Sequence, residues 1–271
     1  MKIQDIINEN KWGQRSVPLS DYFKFHDRFS VARQAFDQGR RIYRGMHIYE
    51  QNFFYQPQLD PGTRRSANVA NWYTLIMDNV PEWQDFPRRS ASVICTTDPE
   101  QSSDYGATFT VMPFGNPTIG ICPAEDIWYS FPSLKKLQME SLEELIDAIE
   151  TLANVYLDKP LSQDSWPDFT RGLHELSQKI LQEYHSFQWE ISADKLQRLV
   201  KPQRDMLAVL RKILDPQAAG FQTAKLSEWQ PQPAREIWFS APVFFLNSAW
   251  LGAAEKGLDA RMKEIIGGEV P

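Results

Sequence analysis

From Ser141 to about Leu214 the apolar residues recur at intervals of three and four, and on both sides of that block the chain reads as strands. Leu142, Leu145, Ile146, Ile149 and Leu152 form one helical series. Leu173, Leu176, Ile180, Leu181 and Tyr184 form another, with Pro160, Pro167 and Pro202 as punctuation. A helical block enclosed by strand-forming segments specifies an α+β domain in which the two kinds of element are segregated. The spacing predicts strands over Arg41 to Tyr49, Ser90 to Thr97, Ala107 to Phe114 and Thr118 to Cys122. The last two are joined by Gly115-Asn116-Pro117 in the manner of a hairpin. A late strand runs from Glu236 to Leu246, bent at Pro242. Residues 1 to 40 read as helical, as do Asn68 to Asp78 and Ser248 to Ile266. Residues 50 to 65 and Gly220 to Pro233 read as loops. In Asp98-Pro99-Glu100 the aspartate caps a short helix, the proline fits its first turn and the glutamate favours its dipole. One domain over 1–271 follows. It has an N-terminal helical segment (1–40), a β core (41–125 and 230–247), a helical insertion (141–215) and a C-terminal helix (248–266).

Length and composition bound the class. The chain has 271 residues with 42% hydrophobic and 13% aromatic, enough for a packed core. The formal net charge of −6 argues against a generic polyanion binder. Two cysteines, Cys95 and Cys122, fall in strands and make neither a disulfide framework nor a zinc site. No apolar run approaches the roughly 20 residues that span a bilayer. The expectation is a soluble protein of the reducing cytoplasm, without a metal and without membrane contact. No phosphate-loop or dinucleotide fingerprint is present.

Three short segments carry the functional signal. Arg41-Ile42-Tyr43-Arg44-Gly45 ends an early strand with an arginine and a glycine. Ser92-Val93-Ile94-Cys95-Thr96-Thr97-Asp98 is a hydroxyl-rich strand end, followed by Ser102, Ser103-Asp104-Tyr105-Gly106. Arg235-Glu236-Ile237-Trp238-Phe239-Ser240 sets a carboxylate at the head of an apolar aromatic strand. In this order they resemble the arginine, serine and glutamate signature of the ADP-ribosyltransferase superfamily, in its toxin- or phage-like form. The resemblance covers roughly residues 40 to 125 and 230 to 247. It implies a split two-sheet core with the helical block inserted before the last core strand. It also implies transfer of ADP-ribose from NAD to a macromolecular acceptor, with release of nicotinamide.

That reaction breaks an N-glycosidic bond through a transition state with oxocarbenium character. It needs a bent, clamped dinucleotide, an anion near the developing cation, and a means of fixing that anion. The resemblance gives Arg44 the phosphate or ribose oxygens, since a guanidinium binds them through forked hydrogen bonds. Gly45 would let the ligand approach the backbone. Thr96 and Thr97 would supply the hydroxyl that orients the catalytic carboxylate, with Ser90 and Ser92, upstream on the same strand, as rival candidates. Glu236 would bind the ribose 2′-hydroxyl and stabilise positive charge at the anomeric carbon. Tyr73 and Tyr105 are candidate stacking partners for nicotinamide or adenine, as is Trp128. The catalytic set is therefore Glu236, Arg44 and Thr96. The NAD-binding set is Arg44, Gly45, Ser92, Thr96, Thr97, Tyr105 and Tyr73.

The chain also departs from the pattern. The first hydroxyl position is occupied by Cys95, and the position two before the glutamate, often acidic in the family, is Ala234. These departures leave open a non-catalytic virion or interaction protein on a related scaffold. Glu125-Asp126, after Cys122-Pro123, reads as a helix start and is also the rival acid pair. The short match Ile7-Asn8-Glu9 resembles the cleavage site of some tailed-phage head proteins and adds a route of delivery into a host cytoplasm. The acceptor is expected to be protein in preference to nucleic acid; the acceptor residue and the oligomeric state are open.

Overall fold

Strand-forming segments from both sides of the helical block meet in one antiparallel sheet. The computed structural model describes residues 15–18, 21, 24–48, 53–66, 69–183, 185 and 191–249. The strands are β1 (Arg15–Ser16), β2 (Tyr43–Met46), β3 (Phe53–Gln56), β4 (Val93–Thr96), β5 (Ala107–Pro113), β6 (Thr118–Ile121), β7 (Gln222–Lys225), β8 (Glu236–Phe239) and β9 (Val243–Asn247). They form a nine-stranded sheet in the order β1-β3-β9-β5-β2-β4-β8-β6-β7. All the pairings between neighbours are antiparallel. The fold is thus α+β.

The ladder is uneven at its middle. β2 pairs β5 at four positions and β4 pairs β8 at four, but β2 and β4 share the single pair Tyr43↔Thr96. The bend at Pro242 carries the chain across this seam. β8 lies with β4 and β6 on one side, and β9 lies with β3 and β5 on the other.

Alternation along each strand sorts side chains to two faces. Val93, Cys95, Ile237 and Phe239 join a core with Phe29, Phe109, Phe244 and Phe245 on one face. Trp238 and the partly buried Ile94 point the other way, into the core under the helices. That core is built by α2 (Trp72–Asn79), α4 (Leu142–Tyr156), α5 (Trp166–Gln182), α6 (Ile191–Gln203) and α7 (Met206–Ile213); α1 (Ser30–Asp37), α3 (Pro99–Ser103) and α8 (Pro216–Ala219) are shorter or peripheral. Most of the predicted helical series is buried; Leu181 is only partly so, and Tyr184 lies outside the described residues. Leu142, Leu145, Ile149, Leu152, Leu173, Leu176 and Ile180 are each at most 2% exposed, and each such side chain contributes about 1.5–3 kcal/mol by leaving water. Trp238 anchors this core to the sheet. Its indole N–H donates to the Pro87 carbonyl at 2.8 Å, and its ring lies so close over Gly120 that a Cβ there would sit 2.3 Å from it.

Four expectations are corrected. Residues 15–16 are a strand on β3, not part of a helix. β3 and β7 lie in segments read as loops. The turn at Gly115-Asn116-Pro117 does not make a hairpin, because β5 pairs with β2 and β9 while β6 pairs with β7 and β8. The turn instead carries the chain from one side of the seam to the other. Ile7-Asn8-Glu9, and the C-terminal helix from residue 250 on, lie outside the described residues. Among the described residues no helix is long and apolar enough to cross a membrane.

Candidate functional site

Glu236 opens β8 directly opposite Thr96 of β4. It shares the face of Trp238, yet stands beyond the edge of the aromatic core, and it is only 8% exposed. A buried carboxylate requires partners, and three groups supply them. Arg89 Nη1 is 2.7 Å from Oε1. The Ile127 backbone N–H donates to Oε2 at 3.3 Å. The Cys122 thiol approaches Oε1 at 3.8 Å.

Arg89 is held by a turn built for it. It begins the 3-10 turn Arg89–Ala91. The carboxylate of Asp78, in α2, accepts from the Arg89 backbone N–H at 2.7 Å and from that of Ser90. Burial raises the Asp78 carboxyl above its ordinary range, against the pull of those hydrogen bonds. The Arg89 guanidinium is 4% exposed and lies 5.9 Å from the Tyr73 ring and 5.4 Å from that of Trp238. Its Nε has no hydrogen-bond partner, and Nη1 meets Glu236 as an ion pair outside good hydrogen-bond geometry. Burial is the largest single influence and works against its charge, but Glu236, Tyr73 and Cys122 together hold the guanidinium above its ordinary range.

A second carboxyl completes the cluster. Asp126 caps the 3-10 turn Ile127–Tyr129, its Oδ1 accepting from the Trp128 backbone N–H at 3.0 Å. Desolvation first, and then the charge of Glu236 within hydrogen-bonding reach, push this carboxyl up to about 6. The Cys122 thiol is raised by burial and by Glu236. The phenol of Tyr105, exposed at the rim, is raised by partial burial and by Asp126 and Glu236.

The sequence-predicted residues divide around this cluster. Arg44, 6% exposed, donates from Nη1 to the Ile94 carbonyl at 2.8 Å. Its guanidinium therefore lies along β4 where β2 and β4 part. Thr96 faces Glu236 across the ladder, but its hydroxyl engages Gln101 and accepts from the Asp98 N–H. The expectation that Thr96 orients the glutamate is corrected: Arg89 and the Ile127 N–H do so. The Ser92 hydroxyl donates to the Arg88 carbonyl at 2.7 Å, so it closes the turn carrying Arg89. The Thr97 hydroxyl donates to the Gln232 carbonyl and accepts from the Arg235 N–H, fixing the approach to β8. Over Gly45 lies the chain itself, since a Cβ there would fall 2.0 Å from the Ser102 carbonyl oxygen and 2.7 Å from Tyr105 Cβ. Its bareness admits α3, where a ligand was expected. Tyr73 is buried beside Trp128, with ring centroids 5.5 Å apart. Ala234 has φ of +50°, a left-handed backbone at the position where the family pattern often has an acid.

Arg89 was missed by sequence reasoning. Its signal was weak: an arginine pair after Pro87 reads as solvated surface, and the contact with β8 is remote in sequence. Asp126 was noted only as a rival. Comparison of the chain with known protein families, with curated proteins and with solved structures gives no match.

Proposed function

We propose that the chain is a mono-ADP-ribosyltransferase that moves ADP-ribose from NAD to a macromolecular acceptor. The observation that carries this reading is the row Tyr43, Thr96 and Glu236 across β2, β4 and β8, with Arg44, next to Tyr43 but on the other face of β2, reaching the Ile94 carbonyl of β4. The three segments that carry the resemblance thus converge at one seam. On this reading the seam is the cleft of a split two-sheet core. The donor set suits NAD: an arginine for phosphate or ribose oxygens and a fixed carboxylate for the sugar. Glu236 binds the ribose 2′-hydroxyl and stabilises the positive charge that develops at the anomeric carbon. Arg89 and the Ile127 N–H hold it in the geometry the transition state needs, so little reorganisation remains at the moment of reaction. The acceptor is a protein in preference to nucleic acid, and the setting is the cytoplasm, reached in the phage version by delivery into a host.

A second reading is favoured by the ion pair itself. Glu236 is largely covered and already partnered by Arg89, as suits a non-catalytic scaffold in which the carboxylate only locks β8 to the Arg89 turn. Nicotinamide release from NAD by the purified protein separates the two. Release that depends on Glu236 supports the transferase. No release and no NAD binding supports the scaffold.

A further inference from the structure

We propose that Asp126 is the proton acceptor of the transfer step, and that the acceptor substrate attacks through a hydroxyl, of which water is the smallest. This rests on the transferase reading and extends it to the second half of the reaction. The family pattern often supplies a second acid two residues before the glutamate; here that position is Ala234, with no side chain able to take a proton. The fold brings a carboxyl to Glu236 from another direction, the turn after β6.

The geometry gives the two carboxyls different work. Glu236 is 8% exposed and fixed by Arg89 and the Ile127 N–H. Asp126 is half-buried, less covered than Glu236, and its charge is felt by the exposed phenol of Tyr105. Its position is rigid. Asp126 Oδ1 accepts from the Trp128 N–H, its backbone carbonyl accepts from the Ser130 hydroxyl at 2.7 Å, and Gln101 ties α3 to the neighbouring Glu125 carbonyl. The charged and titratable groups around it are Glu236 from β8, Arg89 from the turn before β4, Cys122 from the end of β6, Tyr105 and Asp104 from the end of α3, and Tyr129 from its own turn. Arg89 already fills the cation's place beside Glu236, so the pair suits a neutral nucleophile better than a guanidinium. A carboxyl that titrates near 6 is largely ionised at neutral pH and still basic enough to take a proton as the nucleophile becomes acidic in the transition state.

The step balances. The acceptor oxygen forms a bond to the anomeric carbon while the bond from that carbon to the nicotinamide nitrogen breaks. The bonding pair goes to the ring nitrogen, so nicotinamide leaves neutral, and the hydroxyl proton passes to Asp126 and then to solvent.

The test uses NAD hydrolysis, with water as acceptor, by wild type, Asp126→Asn, Asp126→Ser and Glu236→Gln from pH 5 to 8, with NAD affinity measured by calorimetry. Asparagine and serine both keep the cap on the Trp128 N–H, so folding is preserved. The expected wild-type kcat rises through about pH 6 to a plateau. Both Asp126 variants bind NAD within about twofold of wild type, lose about a hundredfold in kcat at pH 7.5, within the range of a general base, and have flat profiles. Asp126 variants that keep the wild-type rate and profile while Glu236→Gln is inactive overturn the inference and leave the transferase standing. A wild type that neither binds nor cleaves NAD overturns both.

Discussion

Arg44 and Arg89 are buried to nearly the same degree, 6% and 4% exposed, but they come from different elements, Arg44 from within β2 and Arg89 from the turn before β4. Arg44 donates to a backbone carbonyl of β4, that of Ile94. Arg89 meets the full charge of Glu236, with two aromatic faces beside it. A buried carboxylate is a partner whose removal strands a charge. The comparison teaches that the arginine in the recognisable motif and the arginine paired with the buried Glu236 carboxylate are separate residues.

The largest effect that would break this contrast is on stability. Arg89→Leu leaves Glu236 buried and unpaired, with an expected cost of about 3–5 kcal/mol in denaturant unfolding. Adding Glu236→Leu should recover a large part of that loss, because the pair goes together; two costs that merely add would show no coupling. Arg44→Ala removes a donor from the Ile94 carbonyl and should cost less, about 1–3 kcal/mol. On the transferase reading its larger signature is weakened NAD binding in calorimetry, with Arg44→Lys also weakened because lysine lacks the fork. An Arg44 variant that unfolds like Arg89→Leu would erase the contrast.

The pH dependence sharpens the same site. The Asp126 carboxyl is raised from 3.8 to about 6 in the folded chain, so the fold binds that proton more tightly than the unfolded chain does. Its contribution is whole below about pH 3.8 and is lost as pH rises through 6. Asp126→Asn, which mimics the protonated form, should therefore raise Tm at pH 7, and the gain should vanish below about pH 4. The smallest effect lies far from the site, at the half-buried bidentate pair of Arg211 with Glu82 (2.6–3.1 Å). The Arg211 hydrogen bonds lower the Glu82 carboxyl, so this pair stabilises above about pH 4.5 and fades as pH falls. Glu82→Gln should cost under about 1 kcal/mol.

The parts legible from sequence are those fixed by local rules. Asp98 accepts from the Glu100 N–H as a cap should, with Pro99 at the first position of the helix, and most of the periodic leucines of α4 and α5 are buried. β7 was missed because Gln222, Thr223 and Lys225 are exposed on the last strand of the sheet, where polar side chains keep the edge from pairing further. The apolar run Phe53-Phe54-Tyr55 was hidden by the Gln- and Pro-rich context around it. At the site, Arg44, Thr96 and Glu236 were readable because each ends or opens a strand-forming segment, and the register sets Thr96 opposite both Tyr43 and Glu236. Arg89 was not, since nothing beside it in the chain tells that a carboxylate will arrive from β8.

The most direct measurement is nicotinamide release from NAD by wild type against Glu236→Gln, with NAD binding and far-ultraviolet circular dichroism recorded for both. The transferase reading predicts release by wild type and a fall of at least about a hundredfold, roughly 2.7 kcal/mol of barrier, in a variant that stays folded. Equal release by both proteins, or none by a folded wild type that does not bind NAD, would contradict it.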